Sequence, residues 1–199
     1  MSPTKPYQPF LLRLLHGVNG LLAIAAWVTG YLVYDSWDGR WGRLGLTTDN
    51  RALIDIHGTF AFGLFFVFIG FVIYSLKAGR SRLVRADSWQ HLTRVGKPVW
   101  WYALHRLANT AALCALGLSV ISGKFQSEEW LPQGEFNHLW YFVHLVAWCI
   151  LLAAIALHVL LGVKVGGVPL LLSMWETRYR PEESPALWKD KILVWLRKS

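Results

Sequence analysis

His144 and His158 lie fourteen residues apart inside one long apolar run, Leu139–Val165. At 3.6 residues per turn that separation is about 3.9 turns, so on a helix the two imidazoles face within roughly 40° of each other and differ in height by about 21 Å. Two further apolar runs carry a histidine near one end: His16 in Phe10–Tyr34 and His57 in Ala52–Leu76. A polar, titratable side chain is costly in hydrocarbon, so four such placements are a functional signal. Imidazoles at two heights suit one chemistry above others: ligation of iron from both axial sides, in two haems stacked inside a helical bundle.

Ligands of this kind need long rigid elements, and the composition supplies them. The chain has 199 residues, of which 54% are hydrophobic and 16% charged, with twelve tryptophans. The apolar residues collect in four runs, 10–34, 52–77, 103–123 and 138–165, each long enough to cross about 30 Å of hydrocarbon. They are apolar all round and lack period-2 alternation, which indicates helices and excludes barrel strands. The expected fold is an all-α membrane protein: one four-transmembrane-helix bundle over residues 1–168, then a tail over 169–199. The first run exceeds the core of a signal peptide and has no small-x-small cleavage site before polar sequence, so it is read as a retained span.

The formal charge of +8 could suggest a nucleic-acid partner, but its distribution argues against one. Lys77, Arg80, Arg82, Arg85, Arg94 and Lys97 crowd the segment between the second and third runs, facing Asp87 alone. Lys164, Arg178, Arg180, Lys189, Lys191, Arg197 and Lys198 crowd the C-terminal segment. In the other two loops Arg40, Arg43 and Arg51 are balanced by aspartates, and Lys124 faces Glu128, Glu129 and Glu135. The positive-inside rule then predicts that both termini and the middle loop are cytoplasmic, with membrane lipid as the first partner. Trp27, Tyr31, Tyr34, Trp37 and Trp41 read as an aromatic belt at the outer end of the first helix. In the tail, Trp188, Ile192 and Trp195 recur at i, i+4 and i+7, as in a short amphipathic helix lying on the membrane surface. Cys114 and Cys149 fall within membrane runs and are expected to be small buried hydrophobes, not a disulfide. There is no CxxCH, which excludes covalent c-type attachment.

Depth decides how the histidines pair. With the first helix starting in the cytoplasm, His16 lies in the inner half, and His57, near the start of the returning second helix, lies in the outer half. The fourth helix places His144 in the outer half and His158 in the inner. Only His16 with His158 and His57 with His144 share a level. A zinc or copper site would draw three or four ligands to one level, often with carboxylates or thiolates. Gly17, Gly20, Gly58 and Gly63 leave room beside the ligands, though glycines also serve plain helix contact. His105, opening the third helix beside Arg106, could meet a haem propionate or a quinone, or be simply interfacial. Arg13, one turn before His16, could pair with a propionate or snorkel to the surface. Asn19 and Asn109 are expected to hydrogen-bond across helices, His138 to be interfacial and His91 solvated.

Arg13-x-x-His16 opening helix one, His57-Gly58 opening helix two, His105 opening helix three and His144-x13-His158 on helix four resemble the bacterial cytochrome b561 family. That family includes the b-type subunits of nickel–iron hydrogenases and formate dehydrogenases, and the likeness spans residues 10–165. Gly17 departs from the tryptophan that follows the helix-one ligand in many members. The resemblance implies that His16, His57, His144 and His158 are axial ligands of two b haems, paired as depth requires. It also implies electron transfer across or within a prokaryotic plasma (inner) or thylakoid-type membrane, in exchange with a quinone or a redox protein partner. A second reading is a haem-bearing anchor and electron conduit for a larger redox complex, with no substrate of its own. A third is a haem-free transporter using the histidines as a ladder for protons or metal ions.

Overall fold

The structure, a computed structural model, describes residues 7–46 and 50–197. Among them there is no strand. Four helices are long and apolar enough to cross a membrane: α1 (Phe10–Trp37), α2 (Ala52–Lys77), α4 (Pro98–Lys124) and α5 (Leu139–Leu172). The shortest has 26 residues, or about 39 Å at 1.5 Å per residue. A short α3 (Ala86–Leu92) lies in the middle loop, and α6 (Trp188–Leu196) in the tail. We call the end of the bundle holding Phe10 and Leu172 the lower end, and the end holding Trp37 and Leu139 the upper.

The helix limits follow from local chemistry. Gly39, at φ 61°, ends α1 with its N–H on the Tyr34 carbonyl at 3.0 Å, the left-handed stop that a side chain would resist. This carries α1 three residues beyond the expected end. Pro98 occupies the first turn of α4, where its missing N–H costs nothing. The helix therefore starts five residues before the expected Ala103 and takes in Trp100 and Trp101. α5 runs past the expected Val165 to Leu172, but through a break at Gly167 (φ 68°, ψ −177°) two residues ahead of Pro169.

α1 packs closely along α2, and α4 along α5, whereas the two hairpins approach one another over far fewer positions. A small central core of Ala23, Leu64, Phe68, Ala115, Leu116 and Leu151 joins them. Leu21, Phe62, Leu160 and Leu172 are each more than 60% exposed on the outer surface, an apolar coat that suits lipid and not water. Cys114 and Cys149 belong to that coat: both are free and exposed, which corrects the expectation of burial. A thiol is apolar enough to face hydrocarbon. Tyr34 also departs from its expected place in an interfacial belt. It is buried, packs with Tyr141 and Leu145, and its hydroxyl accepts the Trp41 N–H at 2.6 Å.

At the upper end the two loops are joined. Asp38 receives Arg40 at 2.8 Å and the Tyr141 hydroxyl at 2.8 Å, while Arg40 also donates to the Phe136 carbonyl. Asp35, fully buried in α1, accepts N–H groups of Leu44, Gly45 and Leu46 at 2.6, 3.2 and 2.7 Å. At the lower end the tail returns over the start of α1. The Phe10 ring packs on Tyr179 and Trp188, and the Phe10 N–H donates to Glu183. α6 forms where the amphipathic pattern was read. The side chains of Ile192 and Trp195 lie outside the described residues, as does Lys198.

Candidate functional site

The structure brings the four membrane histidines together as two pairs. His16 on α1 and His158 on α5 have ring centres 6.0 Å apart at the lower level. His57 on α2 and His144 on α5 have ring centres 6.1 Å apart at the upper level. Each pair joins one hairpin to the other across the sparse interface between them. A metal–nitrogen bond of about 2 Å on each side, plus the step from ring nitrogen to ring centre, sets opposed imidazole ligands about 6 Å apart, centre to centre. Among the described residues no group of three or more His, Cys, Asp and Glu side chains converges on one point.

Three of the four imidazoles are tethered through Nδ1. That of His57 lies 3.0 Å from the Ala26 carbonyl and 3.3 Å from the Thr29 hydroxyl. That of His144 lies 3.0 Å from the Ser119 carbonyl and 3.1 Å from the Ser122 hydroxyl. That of His158 lies 2.6 Å from the Asn109 side-chain oxygen. A carbonyl oxygen only accepts, so in each case Nδ1 carries the hydrogen and Nε2 keeps its lone pair. This is the tautomer a metal ligand needs, fixed in the way ligating histidines usually are. His16 is held instead by packing on Phe71.

Space accompanies the donors. A cavity of about 770 Å³ surrounds the upper pair, lined by His57, His144, Gly30, Gly58, Ser119 and Trp148 among others. That is within the range of cofactor pockets. A Cβ added at Gly58, or at Gly17 and Gly20 beside His16, would meet nothing within 4 Å. At Gly30 and Gly123 the reverse holds: a Cβ would come within 3.0 Å of the His57 ring and 3.3 Å of His144. Both glycines let an imidazole lie against a neighbouring helix. Gly30→Val should therefore displace His57 and weaken retention of a group bound at the upper level, about tenfold for roughly 1.5 kcal/mol of overpacking. Haem content after dialysis against apomyoglobin measures it. Retention equal to the unsubstituted chain would contradict the assignment.

Arg13 Nε, Asn19 Oδ1 and His105 Nε2 are buried with no hydrogen-bond partner among the described residues. Arg13 does not snorkel. It is buried, and its guanidinium donates to the carbonyl oxygens of Glu176 and Arg178 in the returning tail. His105 stacks on His158, with ring centres 5.4 Å apart and planes 27° apart. Of the two asparagines expected to bond across helices, Asn109 does so, to His158, and the Asn19 oxygen has no such partner among the described residues. His138 stacks flat on Trp130 and pairs with Glu135 at the start of α5. His91 falls in α3 of the middle loop. Sequence reasoning missed Gly30, Gly123, Thr29, Ser119 and Ser122. Their only signal was small or hydroxyl residues at helical spacing, which membrane helices also use for plain packing.

The family profile described as prokaryotic cytochrome b561 matches residues 7–177, a span that holds all four spanning helices and every histidine described above. The chain belongs to the prokaryotic cytochrome b561 family. It is thus an integral membrane protein of an electron-transfer family that carries haem b. No curated protein and no solved structure matched the chain. Within a cytochrome b561 scaffold the paired imidazoles, the tautomers set through Nδ1 and the open glycine faces all fit residues that would hold a haem between the two hairpins.

Proposed function

We propose that this cytochrome carries two b haems, one between His16 and His158 and one between His57 and His144, and passes electrons between the two faces of the membrane. The observation that carries this reading is the repeated ring-centre separation near 6 Å at two levels. When bound, the haem iron supplies a reversible one-electron couple, and the protein contributes ligands, apolar walls and a fixed distance. The positive charge of the middle loop and tail supports a cytoplasmic lower end, with the lower pair exchanging electrons near the cytoplasmic face and the upper pair near the opposite one. Arg13, three residues before His16 and with Nε unengaged, supports the carboxylates of the lower haem. His105, packed on His158, lines the same level. α6 rests on the cytoplasmic surface, with Trp188 turned to Phe10. The exchange partner is a quinone or a redox protein. No observation favours the haem-free transporter reading.

A dithionite-reduced minus oxidised spectrum of the purified chain, with haem quantified as the pyridine haemochrome, tests the proposal. Two b haems per chain are expected. One would make one level purely structural. None, in chain shown to be folded, would overturn the reading.

A further inference from the structure

The lower ligand His158 is tethered unlike His57 and His144. Each of those two bonds a main-chain carbonyl of a neighbouring helix, which side-chain substitution barely alters, with a hydroxyl beside it. His158 depends on one side chain, Asn109 on α4, at 2.6 Å. The orientation of that amide is fixed from its other end, where Asn109 Nδ2 donates to the Arg82 carbonyl at 2.9 Å. A carbonyl can only accept, so the amide nitrogen faces Arg82 and the oxygen faces His158. Arg82 belongs to a 3-10 turn, Arg80–Arg82, in the basic loop after α2. The loop is docked on α4 again two residues later, where the Val84 N–H donates to the Thr110 hydroxyl at 2.9 Å. The Arg82 guanidinium in turn donates to the buried Gln8 side chain at 2.9 Å.

We propose that Asn109 is a positioning residue that sets the reduction potential of the lower haem, and that the Arg80–Arg82 turn acts on that haem through it. The inference rests on His158 being an axial ligand. The stronger the acceptor on Nδ1–H, the more electron-rich the imidazole and the better it stabilises ferric over ferrous iron. The amide is a neutral acceptor of intermediate strength, and its hold on Arg82 ties it to the loop: a displacement of that turn loosens the amide and with it the ligand. The upper ligands have no such connection to a loop, so the two haems differ in how they can be tuned.

The test uses the haem-loaded full chain in detergent, titrated potentiometrically with optical and EPR detection. In Asn109→Asp a carboxylate replaces the amide, and the equilibrium constant for reducing one haem should fall at least tenfold, about 59 mV for a one-electron couple. In Asn109→Leu the acceptor is lost, and the same haem should become easier to reduce by a comparable factor. In both variants the EPR g-values of that haem alone should move. Potentials unchanged in both variants, or both haems moving equally, would overturn the proposal. If Asn109→Leu sheds a haem, Asn109→Asp decides alone, and loss of haem from it too would make Asn109 a structural requirement and refute the tuning role. Fewer than two b haems in the unsubstituted chain would instead count against the ligand assignment itself.

Discussion

Replacing His158 with alanine should strip one b haem from the purified chain and leave the spectrum of the other intact. The loss should approach half of the haem, because a b haem has no covalent tether and the remaining imidazole holds only one axial position. His16→Ala should remove the same haem, and the His16→Ala/His158→Ala double substitution should do no more than either single one. His57→Ala and His144→Ala should remove the other. The four ring positions make this a test of pairing as well as of ligation, since the two levels share only α5. Full haem content in both the His16 and His158 variants would refute the pairing.

The second large effect concerns stability and lies away from the histidines. Asp35→Ala removes a fully buried carboxylate that accepts three main-chain N–H groups of the loop 39–46. Each buried donor left without a partner costs about 1–3 kcal/mol, and three on one loop do not add because the loop can swing toward water. The expected net loss is about 2–5 kcal/mol, read as a lowered midpoint of thermal unfolding in detergent and faster proteolysis at residues 39–46. Asp35→Asn keeps an acceptor oxygen and should lose roughly 1–2 kcal/mol. An unchanged midpoint in the alanine variant would show that the loop is held by Asp38, Arg40 and Tyr141 without Asp35.

The sequence was legible where one strong force dominates. Burial in hydrocarbon demands long unbroken apolar helices, so the four spans stand out. Charge asymmetry and helix direction then give each histidine a depth, and depth alone selects the pairs that the structure brings to 6.0 and 6.1 Å. Helix ends were less legible because capping outweighs hydropathy there: Pro98 starts α4 and Gly39 stops α1 at residues that an apolar run does not mark. The tethers of the ligands were least legible. Ser119, Ser122 and Thr29 act from helices other than the one bearing the imidazole, and only the rotation of one helix about its axis decides whether a hydroxyl meets a ring or lipid. The tail contacts of Arg13 were illegible for a similar reason. Its acceptors belong to Glu176 and Arg178, and main-chain carbonyls have no signature in the sequence.

That strap has a consequence in time. Arg13 leaves the ribosome 163 and 165 residues before the two carbonyls that receive it, an interval of about 10–30 s at ordinary rates of synthesis. All four spans are made within it, while the guanidinium beside His16 has no acceptor from the tail. The two hydrogen bonds that tie the start of α1 to the tail are thus among the last contacts of this end to form, after the four spanning helices exist.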